Sequence, residues 1–168
     1  MKKLILASLL TAIVVNANAG EPPNSTFAAA ITKGHISAPL PSTEENARVI
    51  EMLKKQTKSN GEITAEFDRL TLFKSQPNCG RVRMVVVQKS TKTYWPKISA
   101  AMNVCSNGLP PLRECKGSLS LVQPDARCPD GSEPVDTPEV AAAIAKSVSY
   151  GGLTIDQVRA QAAQAGGK

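Results

Sequence analysis

The side chains here that invite chemistry are four cysteines, one histidine, a few carboxylate pairs and a knot of cations around two aromatics. Nucleophilic catalysis of the Ser-His-Asp or Cys-His kind needs a positioned imidazole. His35 is the sole candidate, and it falls in a Pro-punctuated stretch that reads as solvated. Glu62 with Glu66, and Asp130 with Glu133, are pairs to weigh for acid–base work. Glu62, Glu66 and Asp68, however, alternate along one predicted strand, whose outer face carries charge in any case. Asp125, Asp130, Glu133 and Asp136 offer oxygens to a hard cation, but not at the spacing of an EF-hand. Pro129-Asp130-Gly131-Ser132 is explained as a turn. The sequence has no glycine-rich phosphate loop or dinucleotide fingerprint, so no nucleotide cofactor is expected. These residues point away from an enzyme. A carboxylate-dependent cell-wall hydrolase acting through Glu62 and Glu66 is the remaining catalytic alternative.

Cys79, Cys105, Cys115 and Cys128 form no C-x-x-C pair, and no H-x-x-x-H accompanies them. A zinc site and a thioredoxin-like centre are both disfavoured, and no metal is expected. An even count suits two disulfides in an oxidising compartment.

The constellation that suits a contact surface is Lys89, Lys92, Tyr94, Trp95 and Lys97, with Arg81 and Arg83 on the flanking strand. Aromatics among cations supply most hot spots of protein interfaces. The competing reading folds Trp95 back to close the core and leaves the lysines as solvated loop residues. Charge agrees that this region is special. Residues 52–116 hold twelve bases against four acids, whereas residues 20–51 and 117–168 each carry an excess of two acids. A basic block attracts acidic proteins, anionic surfaces and polymers.

Elements must position these groups. Arg81 to Gln88 is a strand candidate, rich in valine. Lys89 to Pro96 reads as a polar loop. Lys97 to Cys105 then alternates, with Ile98, Ala100, Met102 and Val104 inward. Together they make a hairpin whose turn lies near residue 92. Residues facing each other then have numbers adding to about 184, as Cys79 and Cys105 do, which leaves Cys115 to bridge Cys128. Upstream, Ile63, Ala65 and Phe67 alternate with polar residues in another strand. Its phase changes at Leu70 and Leu72, which suggests a bulge near Asp68 or Arg69. Ser42 and Glu45 fit a capping box for a helix running to about residue 58, with Asn60-Gly61 ending it. From Ser106 to Thr137 prolines and glycines break regular structure, although Leu119 to Val122 suits a short strand. Thr137 caps a helix beginning at Pro138, and Thr154 with Gln157 begins another. Residues 20–41 read as a flexible Pro-containing arm in which Phe27 to Ile31 suits a turn or two of helix.

The N-terminus reads as an export signal. Lys2 and Lys3 precede the apolar run Leu4 to Val15, and Ala17-Asn18-Ala19 has the small-x-small pattern of a cleavage site. The run is shorter than a membrane-spanning helix needs. The chain is therefore expected to act in a bacterial periplasm or outside the cell, not as an integral membrane protein, and export argues against nucleic acid as its partner.

The expected fold is α+β. A small antiparallel sheet contains the disulfide-clasped hairpin, and an N-terminal helix packs on it. The domain order is a signal peptide at 1–19, the arm at 20–41, a core domain at 42–136 with two disulfides, and a helical hairpin with a frayed tail at 137–168. The expected function is that of a non-enzymatic interaction protein with a protein partner in the cell envelope, as in a secretion, conjugation or pilus assembly. A periplasmic or secreted inhibitor or immunity-type protein is the alternative, with the loop at 106–136 as its inhibitory element.

Overall fold

The computed structural model describes residues 25–118 and 120–149. The expected export signal and the helix expected after Thr154 lie outside the described residues.

Residues 25–39 are not a flexible arm. Helix α1 spans Ser25–Lys33 and strand β1 spans His35–Pro39. Phe27, Ala28, Ala30 and Ile31 recur at helical spacing, and Ala30 and Ile31 are wholly buried. Phe27 meets Phe67 edge-on, with ring centroids 4.9 Å apart. Gly34 makes the reversal. Its φ is 85°, its N–H donates to the Ala30 carbonyl at 2.8 Å, and its carbonyl accepts from Arg69 N–H at 2.8 Å. The prolines flank these elements rather than interrupt them, and Pro39 ends an edge strand, where a missing N–H is tolerated.

Helix α2 spans Glu44–Thr57. Thr43, one residue later than expected, is its cap, and its hydroxyl accepts from Asn46 N–H at 3.1 Å. The helix stops at Lys58 rather than Asn60-Gly61, with Lys58 in the left-handed region at φ 53°. Strands β2 (Thr64–Leu72), β3 (Cys79–Gln88) and β4 (Thr93–Cys105) follow, with a single 3-10 turn at Lys89–Thr91 joining the last two. The sheet is antiparallel throughout, in the order β1-β2-β3-β4. The expected β2 irregularity is there, between Arg69 and Thr71, but Leu70 and Leu72 stay exposed.

The two sheet faces are unlike. One carries Ile36, Ala38, Ala65, Phe67, Val82, Met84 and Val104 and is crossed by α1. Helix α2 continues this layer, setting Leu53 against Ile63 and Val86. The opposite face is covered at one end only, by helix α3 (Pro138–Ser149), whose Val140, Ala143 and Ile144 pack on Phe73, Cys79 and Cys105. Thr137 caps α3 as expected, its hydroxyl accepting from Val140 N–H at 3.5 Å. Between β4 and α3, two-residue strands β5 (Arg113–Glu114) and β6 (Leu121–Val122) pair with each other, and Glu114 also bridges to Val135.

Candidate functional site

Both disulfides form as the hairpin register implies, Cys79 with Cys105 and Cys115 with Cys128. The hairpin itself is longer than read. Thr93 to Trp95 already pair with Gln88 to Val86, so the loop shrinks to the 3-10 turn. Near the turn, paired numbers add to 181. Beyond Pro96 to Ser99, which form a bulge opposite Val85, they add to 184 and so bring Cys79 opposite Cys105.

This geometry disperses the basic constellation. Arg81 is 8% exposed. Its guanidinium donates to Ser147 Oγ at 2.6 Å and Asn103 Oδ1 at 2.7 Å, at the C-terminal turn of α3, where the helix dipole favours a cation. Burial pushes its pKa down from the usual Arg value. Arg81 is thus a structural group rather than a contact residue. Trp95 is withdrawn too. It lies on the helix-covered face against Leu53, Ile63 and Val86, and its Nε1–H donates to Gln56 Oε1 at 3.1 Å. Alternation along β4 dictates this, since adjacent residues point to opposite faces. Tyr94 therefore projects from the open face and is 67% exposed. Arg83 donates to Asp68 Oδ2 at 3.1 Å. Lys89 lies 3.0 Å from Glu66 Oε1 and donates to Ser37 Oγ at 3.3 Å. Lys92 and Lys97 are exposed and make no ion pair among the described residues.

What the open face assembles instead is a polar network centred on His35. The ring places Nε2 3.0 Å from Glu66 Oε2 and Nδ1 2.8 Å from Asp68 Oδ1. Both nitrogens can donate to these carboxylates only when the ring is imidazolium. Ser37 Oγ and Thr64 Oγ1 donate to Glu66 Oε1 at 2.9 and 3.3 Å. Burial raises the pKa of Glu66, and the hydrogen bonds from Lys89 and Ser37 with the Lys89 charge reverse this, leaving it below the ordinary Glu value. Burial likewise raises Asp68, and His35 and Arg83 bring it below its ordinary value. His35, Glu66, Asp68, Val87, Lys89, Lys92 and Tyr94 line a shallow depression of about 420 Å³. A neighbouring one of about 350 Å³ contains Glu62, Ser37, Thr64 and the same Lys89. A carboxylate that gives up a proton as general acid needs a raised pKa. Glu66 is held in the opposite sense, as suits an ion pair. The aspartates and glutamates between Asp125 and Asp136 join no metal-ligating cluster among the described residues. Asp130 instead accepts from Ser132 N–H at 2.9 Å in the predicted turn.

His35 is exposed, as a solvated residue should be, but its segment is a strand rather than an arm. The signal for a strand was present, since His35 and Ser37 alternate with Ile36 and Ala38. Five residues ending in proline are a weak cue, and the partner strand lies 33 residues away from His35 in sequence.

No protein-family model matches this chain, and no curated protein or solved structure matches it.

Proposed function

We propose that this protein is an exported, non-enzymatic interaction component of a bacterial envelope assembly, of the secretion, conjugation or pilus kind. The observation that supports this reading is the uncovered half of the sheet. Two helices cover one face and α3 covers one end of the other, while Tyr94 stands out 67% exposed at the hairpin tip, flanked by Lys92. A tyrosine beside unpaired cations has the amphipathic, cationic makeup of an interface hot spot. Two disulfides suit an oxidising compartment, and no described helix is long and apolar enough to cross a membrane. The run before Ala19 supplies the export route in this reading.

A photo-crosslinking residue at position 94, in the cells that make the protein, tests the proposal. One discrete adduct in the envelope fraction, absent when the crosslinker sits at Met52 on α2, is the expected result. Monomer alone from both positions overturns it.

The inhibitor reading keeps one observation in its favour. The segment 106–136 is pinned by Cys115–Cys128 and by Arg113 Nε at 3.1 Å from Asp136 Oδ1, and it exposes Leu109 to 51%. A loop fixed before binding loses less entropy on docking. Inhibition of an envelope enzyme that survives replacement of that loop would remove this reading.

A further inference from the structure

The two edges of the sheet are guarded unequally. The β1 edge is five residues long and ends in Pro39. The β4 edge is thirteen residues long. Pro96 and the bulge interrupt only its turn-proximal part. Beyond them Ala100, Ala101 and Met102 are exposed and uncharged. A regular uncharged edge is a template for another strand, and proteins that leave one open commonly use it.

The hydrogen-bonding phase can be worked out. Cys79 C=O accepts from Phe73 on the β2 side, and Cys105 N–H donates to Leu109 C=O rather than to Cys79. Cys79 and Cys105 are therefore a pair that exchanges no main-chain bonds. Alternation then turns the N–H and C=O of Ala101 and Asn103 outward, away from β3. Those groups have no partner on the outer side among the described residues.

Charge selects the occupant. Residues 69–113 contain eight bases and not one acid. Arg83 and Lys89 are answered by Asp68 and Glu66, and Arg81 is buried. Arg69 donates to the Ile31 carbonyl and Arg113 pairs with Asp136, and of the exposed Lys74, Lys92 and Lys97 the last two lie on the hairpin that carries the free edge. We infer that β4 accepts, as a fifth strand, an extended acidic segment of a protein partner, with main-chain bonds at Ala101 and Asn103 and carboxylates facing Lys92 and Lys97. The inference rests on the interaction reading above and specifies its mode.

Blocked octapeptides of alternating Glu and Val, or of alternating Lys and Val, serve as probes against the oxidised protein, followed by amide NMR shifts. The Glu–Val peptide should shift the amides of Ala101 and Asn103 most, and the Lys–Val peptide should bind at least tenfold more weakly. Ala101→Pro removes one outward donor and no bond to β3, so it should weaken binding at least tenfold while Ala101→Val does not. Should Ala101→Pro fail to fold, the surface double variant Lys92→Glu/Lys97→Glu carries the same test through charge, again at least tenfold. Equal binding of the two peptides, or binding indifferent to both variants, overturns the inference. So does a concentration-dependent dimer abolished by Ala101→Pro, which would give the edge to a second copy. If these edge variants leave the position-94 adduct unchanged, strand addition fails while the interaction reading stands.

Discussion

Glu66 sits on β2, takes a hydrogen bond from Ser37 on β1, lies 3.0 Å from Nε2 of the β1 residue His35, and meets Lys89 at the end of β3, so one carboxylate ties three strands. Its pKa and that of Asp68 are lowered in the folded protein. Between the folded and unfolded values the unfolded chain holds more protons, so stability rises with pH there. The contribution is complete above the ordinary Glu value of 4.5 and disappears as pH falls through the lower folded value. Acid titration of the melting temperature should therefore fall less steeply for Glu66→Gln than for the parent. At neutral pH the variant should lose about 1 kcal/mol, since Lys89, the cation it leaves behind, is exposed and can hydrate. Coincident titration curves would refute a linking role. Gly80 tests packing at the β2 bulge. A Cβ there would lie 2.2 Å from the Thr71 carbonyl oxygen and 3.2 Å from Ile31 Cδ1. Backbone must move to admit it, so Gly80→Ala should cost about 1–3 kcal/mol, read by denaturant midpoint at constant slope. At this scale, cysteine pairing was legible because one covalent geometry and one hairpin register left few choices. The histidine network was not, because its members come from strands whose adjacency no local pattern encodes.

Elements were legible in proportion to their length and local signals. Helix α2 has a cap, a dipole-matched charge pattern and fourteen residues, and it stands within a residue of expectation. Helix α1 has nine residues and two large apolar side chains, too few to be stable alone, and its order comes from packing across the sheet. Strand β4 alternates in sequence, yet Ile98 and Met102 are 40% and 37% exposed and only Val104 is buried as predicted. Alternation reports which residues share a face, not whether anything covers that face, and an edge strand is covered least. The end of α2 carries a testable cost. Lys58 holds φ 53° as its C-cap, a conformation that strains a side chain and suits glycine. Lys58→Gly should relieve that strain, less the extra entropy glycine loses on folding. A net gain of about 0.5–1 kcal/mol is expected, seen as a higher urea midpoint. A lower midpoint would mean that Lys58 makes a contact worth more than its backbone cost.

The whole molecule divides into parts held by different forces. Hydrophobic clusters bind α1, α2, α3 and the four-stranded sheet, but the segment 106–136 contributes no residue to them. It is held by the Cys115–Cys128 bridge, by reciprocal main-chain bonds of 2.9 Å between Glu114 and Val135, and by the Gln76 amide. That amide donates to Leu112 C=O at 3.0 Å and accepts from Leu112 N–H at 2.7 Å, which fastens the segment to the sheet unit. A cross-link spanning 13 residues restricts the unfolded segment by about 3 kcal/mol in chain entropy. Spread over a two-state domain of this size, such a loss would lower the melting temperature by about 6–12 °C. A few polar ties do not couple as a shared apolar core does, so the loss should be local instead. Cys115→Ala/Cys128→Ala should leave hydrogen-exchange protection at Val82 and Val86 within a factor of two, while the Glu114 and Val135 amides lose at least tenfold. The global melting shift should then stay well short of that range. Equal loss of protection at Val82 and Glu114 would show one cooperative unit, with Gln76 carrying the coupling. Gln76→Ala in the oxidised protein would then separate the two ends, lowering protection at Glu114 alone if the amide is the fastening.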